Sequence, residues 1–89
     1  MNIQNVTISG SGVLGAQIAF QTAFHGFNVT VYDIKQELLD KLKEKFYSLG
    51  ELYKLDLNAS QQDVDTTIGR IHVSTDLANA VRDADIVIE

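Results

Sequence analysis

The chain contains no cysteine. Disulfides, a thiolate nucleophile and any cysteine-based metal site are therefore excluded. Basic charge is also scarce: seven Lys and Arg stand against twelve Asp and Glu, for a net charge of −5. A nucleic-acid backbone demands clustered Lys and Arg, so it is not an expected partner, and neither is an anionic membrane surface. The acidity reads instead as a source of solubility. No apolar run approaches the length of a membrane span. No basic stretch followed by an apolar segment opens the chain, so no export signal is expected and a cytoplasmic location is. Internal repeats, low-complexity tracts and linker-like stretches are missing too. What remains is 89 residues, 45% of them apolar, which is enough for the core of one small globular domain.

Strand and helix patterns alternate along it. "NVTISG" carries the β-branched run Val6, Thr7 and Ile8 and reads as a strand. From Val13 to His25, Ala16, Ala19, Phe20, Ala23 and Phe24 recur at helical spacing, and Gly26 stops the helix. Phe27 to Asp33 reads as a second strand. A long helix is expected over Gln36 to Leu57, with Leu38, Leu42, Phe46, Leu49 and Tyr53 on one stripe and Gly50 as a candidate break. Ser60, with Asp63 three residues on, opens a short helix running towards Thr67. "RIHVS" is a third, weaker strand. Asp76 caps a helix from Leu77 to Arg82, and "ADIVIE" is a fourth strand. Such alternation gives an α/β fold of Rossmann type: a parallel sheet with right-handed crossovers, strand order 3-2-1-4 and helices mainly on one face.

Three glycines at the spacing G-x-G-x-x-G mark the passage from first strand to first helix, in "VTISGSGVLGAQIAF". Each has a separate use in a dinucleotide-binding turn. Gly10 allows the tight exit from the strand. Gly12 lets a pyrophosphate approach the backbone. Gly15 lets the helix pack closely on the strand. The unpaired amides and positive dipole end of a helix start favour a diphosphate. An acidic side chain would oppose this, and none occurs between Gly10 and Gly26. Asp33 lies 23 residues beyond Gly10, at the tip of the second strand. There a carboxylate can accept both hydroxyls of an adenosine ribose and repel a 2′-phosphate, so NAD is expected over NADP. Lys35 reads as a solvated lysine of a first helical turn, although folded back it could tolerate a 2′-phosphate.

At these residues, with the long charged helix and the terminal "ADIVIE", the chain resembles the N-terminal part of the 3-hydroxyacyl-CoA dehydrogenase family, closest to its 3-hydroxybutyryl-CoA dehydrogenase-like and diketoreductase-like members. The resemblance implies that residues 1–89 are a partial dinucleotide-binding domain, with the catalytic and dimerisation domain absent. It implies hydride transfer between NAD and C3 of a 3-hydroxy or 3-oxo substrate, in fatty acid metabolism, by a homo-oligomer. The family's acid–base histidine, its orienting glutamate and its substrate-side serine and asparagine fall beyond Glu89, so no catalytic residue is expected here and the chain alone should bind NAD without turnover. The cofactor roles carried over are those of Gly10, Gly12, Gly15 and Asp33, with Val13 and Leu14 adding backbone contacts to the diphosphate. Some members contact coenzyme A through a serine and a lysine on the long helix. Those places fall near Leu49 and Asp56, with Ser48 and Lys54 close but out of register. A CoA thioester and a free dicarbonyl or hydroxy acid both stay open as substrates.

The two histidines do not read as catalytic. His25 ends the first helix, where a protonated ring would complement the dipole, and His72 lies in an edge strand. No spacing joins them to acids as a metal set. Phe20, Phe24 and Phe27 read as packing of helix against sheet. The fourth strand should present an unpaired apolar edge, which favours self-association. Two further functions remain: a stand-alone nucleotide-binding or sensing module, and an interaction fragment without a ligand.

Overall fold

A computed structural model describes residues 3–89. The elements in order are β1 (Asn5–Ser9), α1 (Val13–Phe24), β2 (Asn28–Tyr32), α2 (Gln36–Asp40), α3 (Leu42–Leu57), α4 (Gln61–Gly69), β3 (Ile71–Ser74), α5 (Leu77–Val81) and β4 (Ile86–Ile88). The strands form one sheet in the order β3-β2-β1-β4. All three pairings are parallel. Fold class and strand order are as the alternation predicts.

The register decides which face is the core. Val6 pairs with Val29 and Ile86, and Ile8 with Val31 and Ile88. In a pleated strand, alternate residues share a face, so these apolar side chains form one surface. Ala16, Ala19, Phe20 and Ala23 of α1 pack on it, with Leu42 and Phe46 of α3 and Val64 of α4 behind them. Phe20 meets Tyr53 edge-on at 4.8 Å, and Phe24 meets Tyr53 at 4.9 Å. Phe24 and Phe27 are partly buried against this cluster, as packing residues should be. The opposite face carries Thr7, Thr30 and His72, with Asn79 and Ala80 of α5 beside them. There the Thr7 hydroxyl donates to the Ala80 carbonyl at 2.6 Å. Helices therefore cover mainly one face.

The long helix is interrupted, but not at Gly50. The break falls at Lys41 (φ −85°, ψ −12°), between α2 and α3. Leu39 is buried, at 4% exposure, whereas Leu38, expected on the stripe, is 38% exposed; Leu39 lies at i, i+3 and i, i+7 to the buried Leu42 and Phe46. Gly50 is instead buried within α3, against Val64.

Chain ends of the helices follow local chemistry. Gly26 takes φ +101°. Its amide donates to Ala23 and the Phe27 amide to Thr22, a Schellman closure that only a left-handed residue permits cheaply. The Arg70 guanidinium also donates to the Ala23 carbonyl, at 2.9 Å. Ser60 and Asp63 form a reciprocal capping box at α4. Asp76 caps α5 through the Asn79 amide. Asp85 accepts from the amides of both Gln4 and Asn5, at 2.9 Å each, and so ties the start of β4 to the start of β1.

Candidate dinucleotide site

β1 ends in a corner that leads directly into α1. Gly10 adopts φ +110°, a left-handed value that side chains disfavour. Its amide donates to the Tyr32 carbonyl at 2.8 Å, holding the corner against β2. Gly12 is the N-cap of α1 and offers no side-chain cap. The first intrahelical hydrogen bond runs from Ala16 to Gly12. The amides of Val13, Leu14 and Gly15 therefore stand ahead of it, as helix-start donors. No acidic residue lies in this first turn, so the positive end of the dipole is not neutralised there.

The glycines differ in what surrounds them. A β-carbon on Gly15 would collide with the Gly10 carbonyl oxygen and lie 3.1 Å from its carbon. This is the close contact of helix and strand. A β-carbon on Gly12 would meet nothing within 4 Å. The space over Gly12 is open, as a cradle for a diphosphate requires. The side chains of Val13 and Leu14 are exposed, and their amides are among the helix-start donors.

Asp33 follows β2 and faces the same corner. One carboxylate oxygen accepts from the Ser11 amide at 3.1 Å and the Ser11 hydroxyl at 2.8 Å. The other accepts from the Lys35 amide at 3.1 Å. The Ser11 hydroxyl first, and then the Lys35 amide, hold the Asp33 carboxyl below the ordinary aspartate value of 3.8, because they bond its charged form. The six residues singled out by the sequence, Gly10, Gly12, Val13, Leu14, Gly15 and Asp33, are thus brought together at the C-terminal ends of neighbouring parallel strands.

Two neighbours of this corner escaped the sequence reading. Ser11 is one of them; it occupies a variable place in the G-x-G-x-x-G pattern, which has no room for its bond to Asp33. Lys45 of α3 is the other, with its ammonium 3.4 Å from the Ser11 carbonyl oxygen. It stands 34 residues away in sequence, and only packing of α3 beside α1 brings it there. Lys45 also lines a cleft of about 620 Å³ between α1 and α3, together with Val13, Ala16, Lys41, Ser48 and Leu49. Lys54 is engaged elsewhere, with Glu51 at 3.2 Å and with Gln61.

His25 and His72 lie away from the corner. The His25 ring bonds the Gln21 carbonyl at the far end of α1, at 2.8 Å. His72 is exposed on β3. Among the described residues no three His, Asp or Glu side chains are grouped to hold a metal ion. No helix among them is long and apolar enough to cross a membrane.

Residues 5–89 match the family model described as the NAD-binding domain of 3-hydroxyacyl-CoA dehydrogenase. The chain belongs to this family. It is 38% identical to a probable 3-hydroxyacyl-CoA dehydrogenase of Caenorhabditis elegans, over 99% of its own length and 31% of that protein. It is 41% identical to a probable 3-hydroxybutyryl-CoA dehydrogenase of Deinococcus radiodurans, over 92% of its length and 29% of the relative. Among solved structures, a diketoreductase studied for dual catalysis of dicarbonyl compounds superposes with a TM-score of 0.91 at 49% identity, covering 98% of this chain and 31% of that one. The 3-hydroxybutyryl-CoA dehydrogenase of Escherichia coli superposes with a TM-score of 0.87 at 31% identity, covering 98% and 18%. The chain thus spans under a third of the length of these relatives. It is the NAD-binding part of the family's fold, and the corner described above is compatible with that cofactor: open over Gly12, with helix-start amides, and flanked by the Asp33 carboxylate.

Proposed function

We propose that Gly10, Gly12, Val13, Leu14, Gly15 and Asp33 bind NAD(H) as the cofactor-holding portion of an oxidoreductase, which moves a hydride between the nicotinamide and C3 of a 3-hydroxyacyl or 3-oxoacyl substrate. The observation that carries this is the pairing of an open glycine corner with the Asp33 carboxylate on the adjoining strand. The amides at the start of α1 neutralise the diphosphate, and Asp33 takes the adenosine ribose. The nicotinamide would then extend across β1 towards β4.

Between the two substrate classes, the α1–α3 cleft supports a CoA thioester. Lys41 and Lys45 supply two cations against the single anion of Glu44, and Gln17 and Ser48 supply polar groups beside the apolar Val13 and Leu49, a balance that suits a phosphorylated, partly apolar carrier. The named activities of the relatives supply the carbonyl chemistry. Self-association belongs to the same proposal. Ile86 and Val87 are exposed on β4, an edge of the sheet, and an apolar edge of this kind favours pairing with further polypeptide, here a second copy.

Isothermal titration tests the cofactor role. NAD is expected to bind in the micromolar range, and Asp33→Ala to weaken it. The chain alone should not oxidise NADH with acetoacetyl-CoA, since His25 and His72 both sit away from the corner. Fusion to the remainder of the diketoreductase should restore turnover. Absence of binding to any adenine dinucleotide would refute the site, and turnover by the chain alone would refute the division of labour.

A further inference from the structure

Ser11 is only 1% exposed, although it sits in the turn that faces the cofactor. Its amide and its hydroxyl converge on a single oxygen of Asp33, at 3.1 and 2.8 Å. A carboxylate offers about four acceptor positions, two on each oxygen. Ser11 fills both on Oδ2. The Lys35 amide fills one on Oδ1. The Ile34 amide also favours the charged carboxylate, so at most one good position is left, on Oδ1. This differs from a free carboxylate at a strand tip, which could take both ribose hydroxyls at once.

We propose that Ser11 is a positioning residue that selects the cofactor: by fixing Asp33 in place it presents one oxygen to the adenosine ribose and prevents the carboxylate from swinging aside for a 2′-phosphate. This inference rests on the NAD site proposed above. A charged group in its path excludes NADP only while it cannot move. Rotation about the Asp33 side chain would relieve the repulsion, and the two bonds from Ser11 oppose that rotation. Removing the hydroxyl takes away the shortest of the three bonds and leaves the carboxylate to the Ser11 and Lys35 amides, at 3.1 Å each. The bond from a neutral hydroxyl to a charged carboxylate is of the stronger kind, and its loss also removes preorganisation of the ligand-binding geometry.

The test is titration of NAD and NADP into the parent, Ser11→Ala, Ser11→Gly, Asp33→Ala and the Ser11→Ala/Asp33→Ala double variant, with melting temperatures measured in parallel. The expected result is a fall of about tenfold in the ratio of NAD to NADP affinity for Ser11→Ala, and a similar fall for Ser11→Gly. In the Asp33→Ala background the Ser11 change should leave that ratio unaltered, because the residue acts only through the carboxylate. A merely structural role would weaken both cofactors alike and lower the melting temperature, and that outcome overturns the inference. So does a parental ratio in whichever Ser11 variant folds. If the parent prefers NAD and Asp33→Ala loses the preference while the Ser11 variants keep it, the site stands and only the role of Ser11 falls. If the parent binds neither dinucleotide, the site itself falls, and this inference with it.

Discussion

Val64 fills the space that a β-carbon on Gly50 would need: that carbon would lie 2.5 Å from Cγ1 and 3.2 Å from Cγ2 of Val64. Alanine in a helix interior is favoured over glycine by about 1 kcal/mol. Overpacking a well-filled contact costs about 1–3 kcal/mol. The valine is branched at its β-carbon and cannot fold away, so the second effect should win. Gly50→Ala is expected to lower the melting temperature. Adding Val64→Ala should recover part of that loss, so that the two changes are strongly non-additive. Thermal melts of the three variants provide the check.

Gly12 and Gly15 should separate binding from folding. Gly12→Ala meets open space at an ordinary φ of −67°. Its stability should stay within about 0.5 kcal/mol of the parent, while NAD affinity falls because the methyl stands where the diphosphate approaches. Gly15→Ala collides with backbone at Gly10. It should lose about 1–3 kcal/mol of stability as well as NAD affinity. Urea denaturation beside titration calorimetry distinguishes the two patterns.

Arg70 joins the end of α4 to the end of α1 through the Ala23 carbonyl. A hydrogen bond from a charged group contributes about 1.5–3 kcal/mol, and a cation at a helix C-terminus adds to this. Arg70 is half-buried, so solvent screening lowers the figure. Arg70→Met keeps the apolar stem and should cost about 1 kcal/mol. Chemical denaturation measures it, and an unchanged midpoint would show that the contact carries no weight.

Both pH limbs of stability have assigned groups. Asp33, Asp63 and Asp85 all lie below the ordinary value of 3.8, through the Ser11 hydroxyl, the Ser60 amide and the Gln4 amide respectively. A depressed native value stabilises the fold above the unfolded value and loses that effect as pH falls through the native one. The urea midpoint should therefore hold down to pH 3.8 or slightly above and decline below it. Asp85→Asn should make that decline shallower. Burial raises Tyr53 above 10.0, so its neutral form supports the fold below that pH and the support is lost as pH rises through the native value. Tyr53→Phe should remove this alkaline limb.

Much of the molecule is written in short-range signals. Val6–Ile8 and Val29–Val31 announce strands, Ser60 with Asp63 a helix start, and Gly26 a helix end. The G-x-G-x-x-G turn with Asp33 states where a dinucleotide would lie. Each depends on residues within a few positions, or on a known spacing between two strand ends. Their alternation gives a parallel sheet with right-handed crossovers, and the glycine fingerprint points to 3-2-1-4 among the orders that allows.

Other features required the packed chain. Neither side of Lys41 carries a breaker, yet the helix turns there, and Leu39 rather than Leu38 packs in the core. Gly50 looks like a helix breaker until Val64 is seen against it. Ser11 and Lys45 look incidental until β2 and α3 bring Asp33 and the cleft beside them. The amino-acid order thus determined which local conformations are available and where a cofactor could sit. Contacts between distant residues decided which leucine enters the core, the tight glycine and the orientation of the carboxylate, since close packing weighs atoms that local pattern never compares.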